Sequence, residues 1–281
     1  MKRKPSPIML LFCAVLILSL LSVGIRILLT MNYLDAHYGV YRSGEILPTV
    51  YHIALFAIVI AVVAAAILIS KRGSFDAPPP VGDFTIFASC ISAFMLAAST
   101  LLSLYYILIR RQPASIYDWL MTITSIPAII FFLSLIKTKL NSRATLAFMS
   151  FFPIVWCAVL LIRVYFDTSL LITNPHKTLH QLALLAAMVY FLNESRFLLS
   201  KSSRPLFLAA STTAPILLLS SSLPALIQPD LLLIGSSDSY IDYAVECALA
   251  VFILSRLFCA GASRPENAVK DIPADTDASI E

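Results

Sequence analysis

Charged side chains are scarce in this 281-residue chain, at 13% of residues, whereas hydrophobic residues make up 59% and the mean hydropathy is +0.87. A soluble domain carries about 25% charged residues. So few charges cannot cover the surface of a folded protein in water, which excludes an ordinary soluble domain. No basic patch interleaved with exposed aromatic residues is present, so the formal charge of +4 does not indicate a nucleic-acid partner.

Glycine and cysteine are also rare, with seven and five residues. The chain has no glycine-rich phosphate loop, GxSxG elbow, HExxH helix or EF-hand loop, and no CxxC spacing. His176 and His180 have the i,i+4 spacing of a metal pair, but Pro175 places His176 at a helix start and no third ligand is near. We therefore expect no enzyme, no catalytic residue, no cofactor and no metal site.

Long apolar stretches fill most of what remains, and a spanning helix needs roughly 20 such residues. Backbone amides in hydrocarbon must pair within their own segment, which favours helices over strands here. The eight predicted spans are Pro7–Thr30, Val50–Ser70, Phe84–Ile109, Ile116–Ile136, Ala144–Phe166, Thr178–Ser200, Pro205–Gln228 and Tyr240–Ala260. The predicted fold is an all-α polytopic membrane helix bundle over residues 1–261, followed by a disordered polar tail over 262–281.

The Lys and Arg bias of the short loops predicts the orientation, because cytoplasmic loops carry the excess of these residues. With a cytoplasmic N-terminus, the inner segments hold Lys2, Arg3, Lys4, Lys71, Arg72, Lys137, Lys139, Arg143, Lys201, Arg204, Arg256, Arg264 and Lys270. The outer loops hold Arg42, Arg110, Arg111 and Lys177. The chain is therefore predicted to lie in the plasma membrane with both termini in the cytoplasm.

The two halves of the chain resemble each other at several points. An Ile-Arg pair lies near the end of spans one and five, at Arg26 and Arg163, and an aromatic and acidic motif opens spans four and eight around Asp118 and Asp242. Four spans in each half would form a parallel repeat about an axis along the membrane normal. The candidate halves are 1–137 and 138–261.

Ionisable residues inside spans are the candidates for function, because each costs about 2.5–3.5 kcal/mol at the bilayer centre. The candidate outer polar cluster consists of Arg26, Asp118, Arg163, Asp242 and Glu246. Glu246 lies deepest, and pairing with Arg26 or Arg163 would offset its cost. The cluster could line an outward-open cavity for a cation, proton or small solute, or its members could be interfacial anchors and structural ion pairs.

Three further residues within spans need partners or have interfacial positions. On the inner side Glu194 is expected to pair with another helix, and Arg256 is the candidate partner. His52 and His180 stand at span entrances, which predicts interfacial histidines. His180 also belongs to a stripe with Ala187 and Glu194 at seven-residue spacing, which predicts a face directed at protein rather than lipid.

Two sets of residues carry a resemblance to known proteins. In the second half these are Arg163-Val-Tyr-Phe-Asp167, Asn174-Pro-His-Lys177, Gln181-Leu-Ala-Leu184, Met188 and Glu194-Ser-Arg196; in the first half they are Arg26, Tyr33-Leu-Asp35 and Gly39-Val-Tyr41. With these motifs the chain resembles a group of uncharacterised multi-pass bacterial membrane proteins. The resemblance implies the topology and a bacterial inner-membrane location, and it implies no site.

The sequence leads to one functional hypothesis with two alternatives. The first is a non-enzymatic accessory or scaffold component of the bacterial cell membrane, in contact with the lipid bilayer and with an unidentified membrane or cytoplasmic protein. The second is a small-solute or ion transporter that uses the outward-facing polar cluster. The third is an intramembrane enzyme that acts on lipid.

Overall fold

The computed structural model describes residues 6–35, 40–42, 44–71, 81–111, 115–136, 143–168, 174–199, 203–232 and 240–262. The helices are α1 (Pro7–Tyr33), α2 (Leu47–Ser70), α3 (Asp83–Leu104), α4 (Ile116–Ser134), α5 (Arg143–Met149), α6 (Phe151–Phe166), α7 (Pro175–Leu198), α8 (Arg204–Ile227), α9 (Pro229–Leu232) and α10 (Tyr240–Ala262). The all-α class is confirmed. The predicted tail beyond residue 262 and the basic residues at positions 2–4 lie outside the described residues.

Helix ends lie where capping residues and prolines stand in the sequence. Ser6 accepts a hydrogen bond from the Met9 amide and precedes Pro7, which suits a first helical position because it lacks an N–H. Asn174 caps α7 in the same way, since its side-chain oxygen accepts from the His176 and Lys177 amides. These caps start the helices within a few residues of the predicted boundaries.

Two local features differ from the prediction, and a third lies within a span that ends where it was predicted to end. The loop after α1 contains a two-stranded antiparallel hairpin, β1 (Leu34–Asp35) with β2 (Val40–Tyr41), which the sequence did not predict. The fifth span is divided at Ser150 into α5 and α6, because Pro153 has no amide to continue the helix. A π-helical turn over Tyr105–Ile109 extends α3.

Seven helical segments among the described residues are long and apolar enough to cross a membrane. They are Pro7–Tyr33, Leu47–Ser70, Asp83–Ile109, Ile116–Ser134, Thr145–Phe166, Arg204–Ile227 and Tyr240–Ala262. The chain is therefore a membrane protein by length and composition of its helices. The sixth predicted span corresponds to α7, which has 24 residues but a more polar sequence.

Most polar residues of α7 face the interior of the bundle. His180, Asn193 and Glu194 are buried, and the stripe formed by His180, Ala187 and Glu194 faces protein as predicted. Between residues 179 and 195 the exposed positions of α7 carry apolar side chains, each 45–48% exposed: Leu182, Leu185, Val189 and Leu192. The outer face of α7 is thus as apolar as that of its neighbours.

Helix α8 occupies the centre of the bundle and packs against α10, α7, α1 and α2. In its most apolar stretch 78% of residues are buried, against 28% in α1 and 22% in α2, which lie at the periphery. Alanine, serine and threonine are frequent along α8, and such small residues allow helices to approach closely. Around this centre α7 contacts α6, α6 contacts α4, and α4 contacts α3.

A gap remains in the outer layer of the described helices. Helices α2 and α7 both pack on α8, yet no substantial contact joins α2 to α7. The gap leaves a groove along the side of the bundle, with α8 as its floor.

Candidate functional site

Three residues of the predicted outer cluster form one charged group at the ends of α4, α6 and α10. Arg163 Nη1 lies 3.6 Å from Asp118 Oδ1 and 3.5 Å from Asp242 Oδ2. Ser99 of α3 donates to the other oxygen of Asp242 at 2.9 Å. One arginine of the second half thus links two carboxylates, one from each half of the chain.

Asp118 also has a local structural role that its position in the sequence explains. It is the third residue of α4, and it accepts hydrogen bonds from the Ser115 amide and hydroxyl at 2.8 and 2.9 Å. Ser115 in turn accepts from the Asp118 amide, so the two residues form a capping box. The Asp118 side chain remains 27% exposed, whereas that of Asp242 is only 4% exposed.

Arg26 is buried and contacts α8 at a site that Pro224 creates. A proline has no amide hydrogen, so the carbonyl four residues earlier receives no helical hydrogen bond. That carbonyl belongs to Ser220, and Arg26 Nη1 donates to it. The proline therefore explains why a charged side chain of α1 is directed at the backbone of the central helix.

A second nitrogen of Arg26 begins a chain of buried hydrogen bonds. Arg26 Nη2 lies 2.8 Å from His176 Nδ1, and His176 Nε2 lies 3.0 Å from the Tyr243 hydroxyl. The same hydroxyl lies 3.5 Å from His180 Nδ1, and His180 Nε2 contacts Glu246 Oε1. We call these five residues the relay chain; each is at most 2% exposed.

The donors and acceptors of the relay chain have one consistent order. A guanidinium can only donate, so His176 Nδ1 accepts and the proton of the neutral ring is on Nε2. His176 then donates to the Tyr243 hydroxyl, Tyr243 donates to His180 Nδ1, and His180 Nε2 donates to Glu246. This order fits neutral imidazoles with a cation at Arg26 and an anion at Glu246.

The relay chain corrects two predictions from the sequence. The structure places two imidazoles and a phenol between Arg26 and Glu246, so Arg26 does not pair with Glu246 directly, which was one of the two pairings that the sequence offered. His180 is not interfacial, since it is only 1% exposed and packs on Tyr243 of α10, with the two ring centroids 4.9 Å apart. The sequence signal for both was the i,i+4 pair of histidines on α7 together with the i,i+3 spacing of Tyr243 and Glu246 on α10.

The end of the bundle opposite the relay chain holds a separate buried ion pair. Arg256 Nη2 of α10 lies 2.7 Å from Glu194 Oε1 of α7, with side chains 2% and 1% exposed. Tyr190, one turn earlier on α7, donates to the second oxygen of Glu194 at 3.3 Å. The structure thus brings together the two residues that the sequence proposed as partners. Helices α7 and α10 are tied at both ends, by this pair and by the relay chain.

The groove between α2 and α7 has a volume of about 980 Å³. Its lining consists of Val40, Tyr41, Arg42, Gly44, Glu45, Pro48, Thr49, His52, Leu55, Phe56, Val59, Pro175, Thr178, Leu179, Leu182 and Leu217. This volume is at the upper end of the range of ligand pockets, about 300–1,000 Å³. None of the seven residues predicted as site candidates lines it.

Polarity changes along the groove in a regular way. Arg42, Glu45 and His52 stand at the end near the hairpin, whereas Leu55 and Val59 follow one and two turns deeper on α2. Arg42 and Glu45 are exposed, and no ion pair joins either to another described residue. The sequence does not indicate this site, because Arg42 and Glu45 lie outside the predicted spans and because the hairpin beside them was not predicted.

No metal site is formed within the described part of the chain: no group of three or more His, Cys, Asp or Glu side chains could hold an ion there. His176 and His180 both use their ring nitrogens in the relay chain. In comparisons with known proteins, no family model, no curated protein and no solved structure matches the chain.

Proposed function

We propose that the chain crosses the plasma membrane of a bacterial cell eight times, with both termini in the cytoplasm. The apolar outer face of α7 supports an eighth span, because between residues 179 and 195 every exposed position of this helix is apolar. An even number of spans agrees with the excess of Lys and Arg in the segments assigned to the inner side.

The proposed duplication into residues 1–137 and 138–261 receives partial support from helix contacts. Helix α1 contacts α2 as α6 contacts α7, and α3 contacts α4 as α8 contacts α10. In contrast, α8 is central while its counterpart α3 is not. A duplication would therefore have been followed by divergence of the two halves.

We propose further that the protein is a non-enzymatic accessory component of the membrane that holds an amphiphilic molecule in the groove between α2 and α7. The supporting observation is the polarity gradient of the groove, from charged residues at one end to leucine and valine deeper in the bundle. A groove that is open to the side and apolar in its depth suits a molecule that enters from the bilayer. The buried charges serve this role as a scaffold, because they hold together the helices on which the groove is built.

The transporter alternative receives less support from the geometry. Arg26, Asp118, Arg163, Asp242 and Glu246 all lie outside the lining of the groove. Three contacts of these residues join side chains that are both buried: Arg26 with His176, Ser99 with Asp242, and His180 with Glu246. Such contacts fit structural ion pairs better than an open path for a solute.

The groove is tested with two tryptophan substitutions on the same helix. Leu182→Trp adds a bulky ring inside the groove, whereas Leu185→Trp adds it one turn away, at a position equally exposed but outside the lining. The full chain is purified in a mild detergent with bilayer lipid, and retained lipid is counted by native mass spectrometry. We expect the native chain and Leu185→Trp to retain a bound lipid that Leu182→Trp loses. Equal retention by all three proteins would refute the proposal.

A further inference from the structure

Resting on the proposed function, we infer that the occupant of the groove is a phospholipid with a phosphate and a primary ammonium in its headgroup, phosphatidylethanolamine. Two independent properties of the groove lead to this lipid: its length and the charges at its polar end.

The length of the groove matches one leaflet of a bilayer. Its lining on α2 runs from Pro48 to Val59, twelve residues whose first and last Cα atoms lie about 16.5 Å apart along the axis at 1.5 Å per residue. The hydrocarbon core is about 30 Å thick, so half of it is about 15 Å. An acyl chain of one leaflet therefore fits along the groove, with its headgroup at the end near Arg42.

The charges at the polar end suit a zwitterion. Arg42 and Glu45 have opposite signs, both line the groove, and neither forms an ion pair with a residue that the structure describes. A guanidinium binds phosphate well, and a carboxylate accepts hydrogen bonds from an ammonium. A lipid with a purely anionic headgroup would satisfy Arg42 and leave Glu45 facing a like charge.

The ammonium group distinguishes ethanolamine from choline at this end of the groove. A primary ammonium donates hydrogen bonds to the Glu45 carboxylate, whereas a choline group has no N–H to donate.

The experiment measures selectivity among three lipids with identical acyl chains. The full chain, purified and delipidated in mild detergent, is mixed with equal amounts of phosphatidylethanolamine, phosphatidylcholine and phosphatidylglycerol, and the bound lipids are identified by native mass spectrometry. We expect phosphatidylethanolamine to be retained about tenfold over each competitor, which is the effect of one charge-assisted hydrogen bond.

Two variants with a matched control assign the selectivity to individual groups. Glu45→Gln should lose the preference for ethanolamine over choline, and Arg42→Gln should weaken retention of all three lipids. Arg111→Gln is the control, since Arg111 is exposed and lies outside the lining. Helical circular dichroism and melting of each variant confirm that it is folded, which is expected because Arg42 and Glu45 are exposed.

Each other outcome overturns a defined part of the reasoning. Equal retention of the three lipids, all displaced by Leu182→Trp, refutes the headgroup assignment and leaves the groove proposal intact. Retention that Leu182→Trp does not change refutes both. A dimer that Leu182→Trp dissociates would show that a second copy of the chain covers the groove, which also refutes the lipid.

Discussion

The buried pair of Arg256 and Glu194 makes a quantitative prediction about stability. Arg256→Met removes the guanidinium and leaves the carboxylate of Glu194 at 1% exposure. Breaking a buried ion pair in this way costs about 3–5 kcal/mol. The hydrogen bond from Tyr190 remains and offsets about 1 kcal/mol of this. We therefore expect a loss of about 2–4 kcal/mol, which lowers the folding equilibrium constant roughly 30- to 700-fold.

A double-mutant cycle separates the pair from the rest of the bundle. Glu194→Gln keeps the shape of the side chain and an acceptor for Tyr190, but leaves the guanidinium of Arg256 buried beside a neutral amide. The double variant contains neither charge, so we expect it to be more stable than either single variant. The measurement is unfolding of the purified protein in mixed micelles at increasing mole fraction of denaturing detergent, followed by circular dichroism.

The control is an arginine on the same helix that is not buried. Arg196 lies two residues after Glu194 and is exposed, so Arg196→Met should change the free energy of unfolding by no more than about 0.5 kcal/mol. If the two single losses simply add in the double variant, the pair carries no coupling energy and the reasoning from its burial is wrong.

Two further predictions use the same unfolding measurement. Arg26→Leu should lower the free energy of unfolding, and this loss should be about 1–2 kcal/mol smaller in a Pro224→Ala background. The alanine amide supplies a new donor to the Ser220 carbonyl, so an equal loss in both backgrounds would contradict this. Glu246→Ala should lower the free energy of unfolding by about 1.5–3 kcal/mol, because Glu246 is fully buried. Asp118→Ala should lower it by about 1 kcal/mol, because Asp118 is a partly exposed helix cap. The reverse order would show that burial does not determine the loss.

Most helix boundaries could be predicted from the sequence, because a span in hydrocarbon requires apolar residues whereas the segments between spans are polar. The seventh span was predicted as Pro205–Gln228 and is Arg204–Ile227. The hairpin Leu34–Asp35 with Val40–Tyr41 could not be predicted, since strands of two residues show no alternation. The break at Ser150 did leave a signal in Pro153, which apolar content alone conceals.

The sequence predicts only part of the site: a charged residue far from the end of a span needs a partner. Glu194 and Glu246 are such residues, and Arg256, at the same level of the last helix, could be named as the partner of Glu194. The contact of Glu246 with His180, 66 residues away, depends on how α7 and α10 are rotated about their axes. The position of Pro224 did carry information, because it identifies Ser220 as a carbonyl in need of a donor.

The contacts of Arg26 have a consequence for biosynthesis. Its two partners, His176 and the Ser220 carbonyl, lie 150 and 194 residues further along the chain. At a synthesis rate of about 5–20 residues per second, roughly 8–30 s pass before the first of these partners is synthesised and roughly 10–40 s before the second. During that interval the guanidinium must reach towards the interface or be held by the insertion machinery. The bundle can close around α8 only after the ribosome has completed that helix, which makes assembly of this protein a late event in its translation.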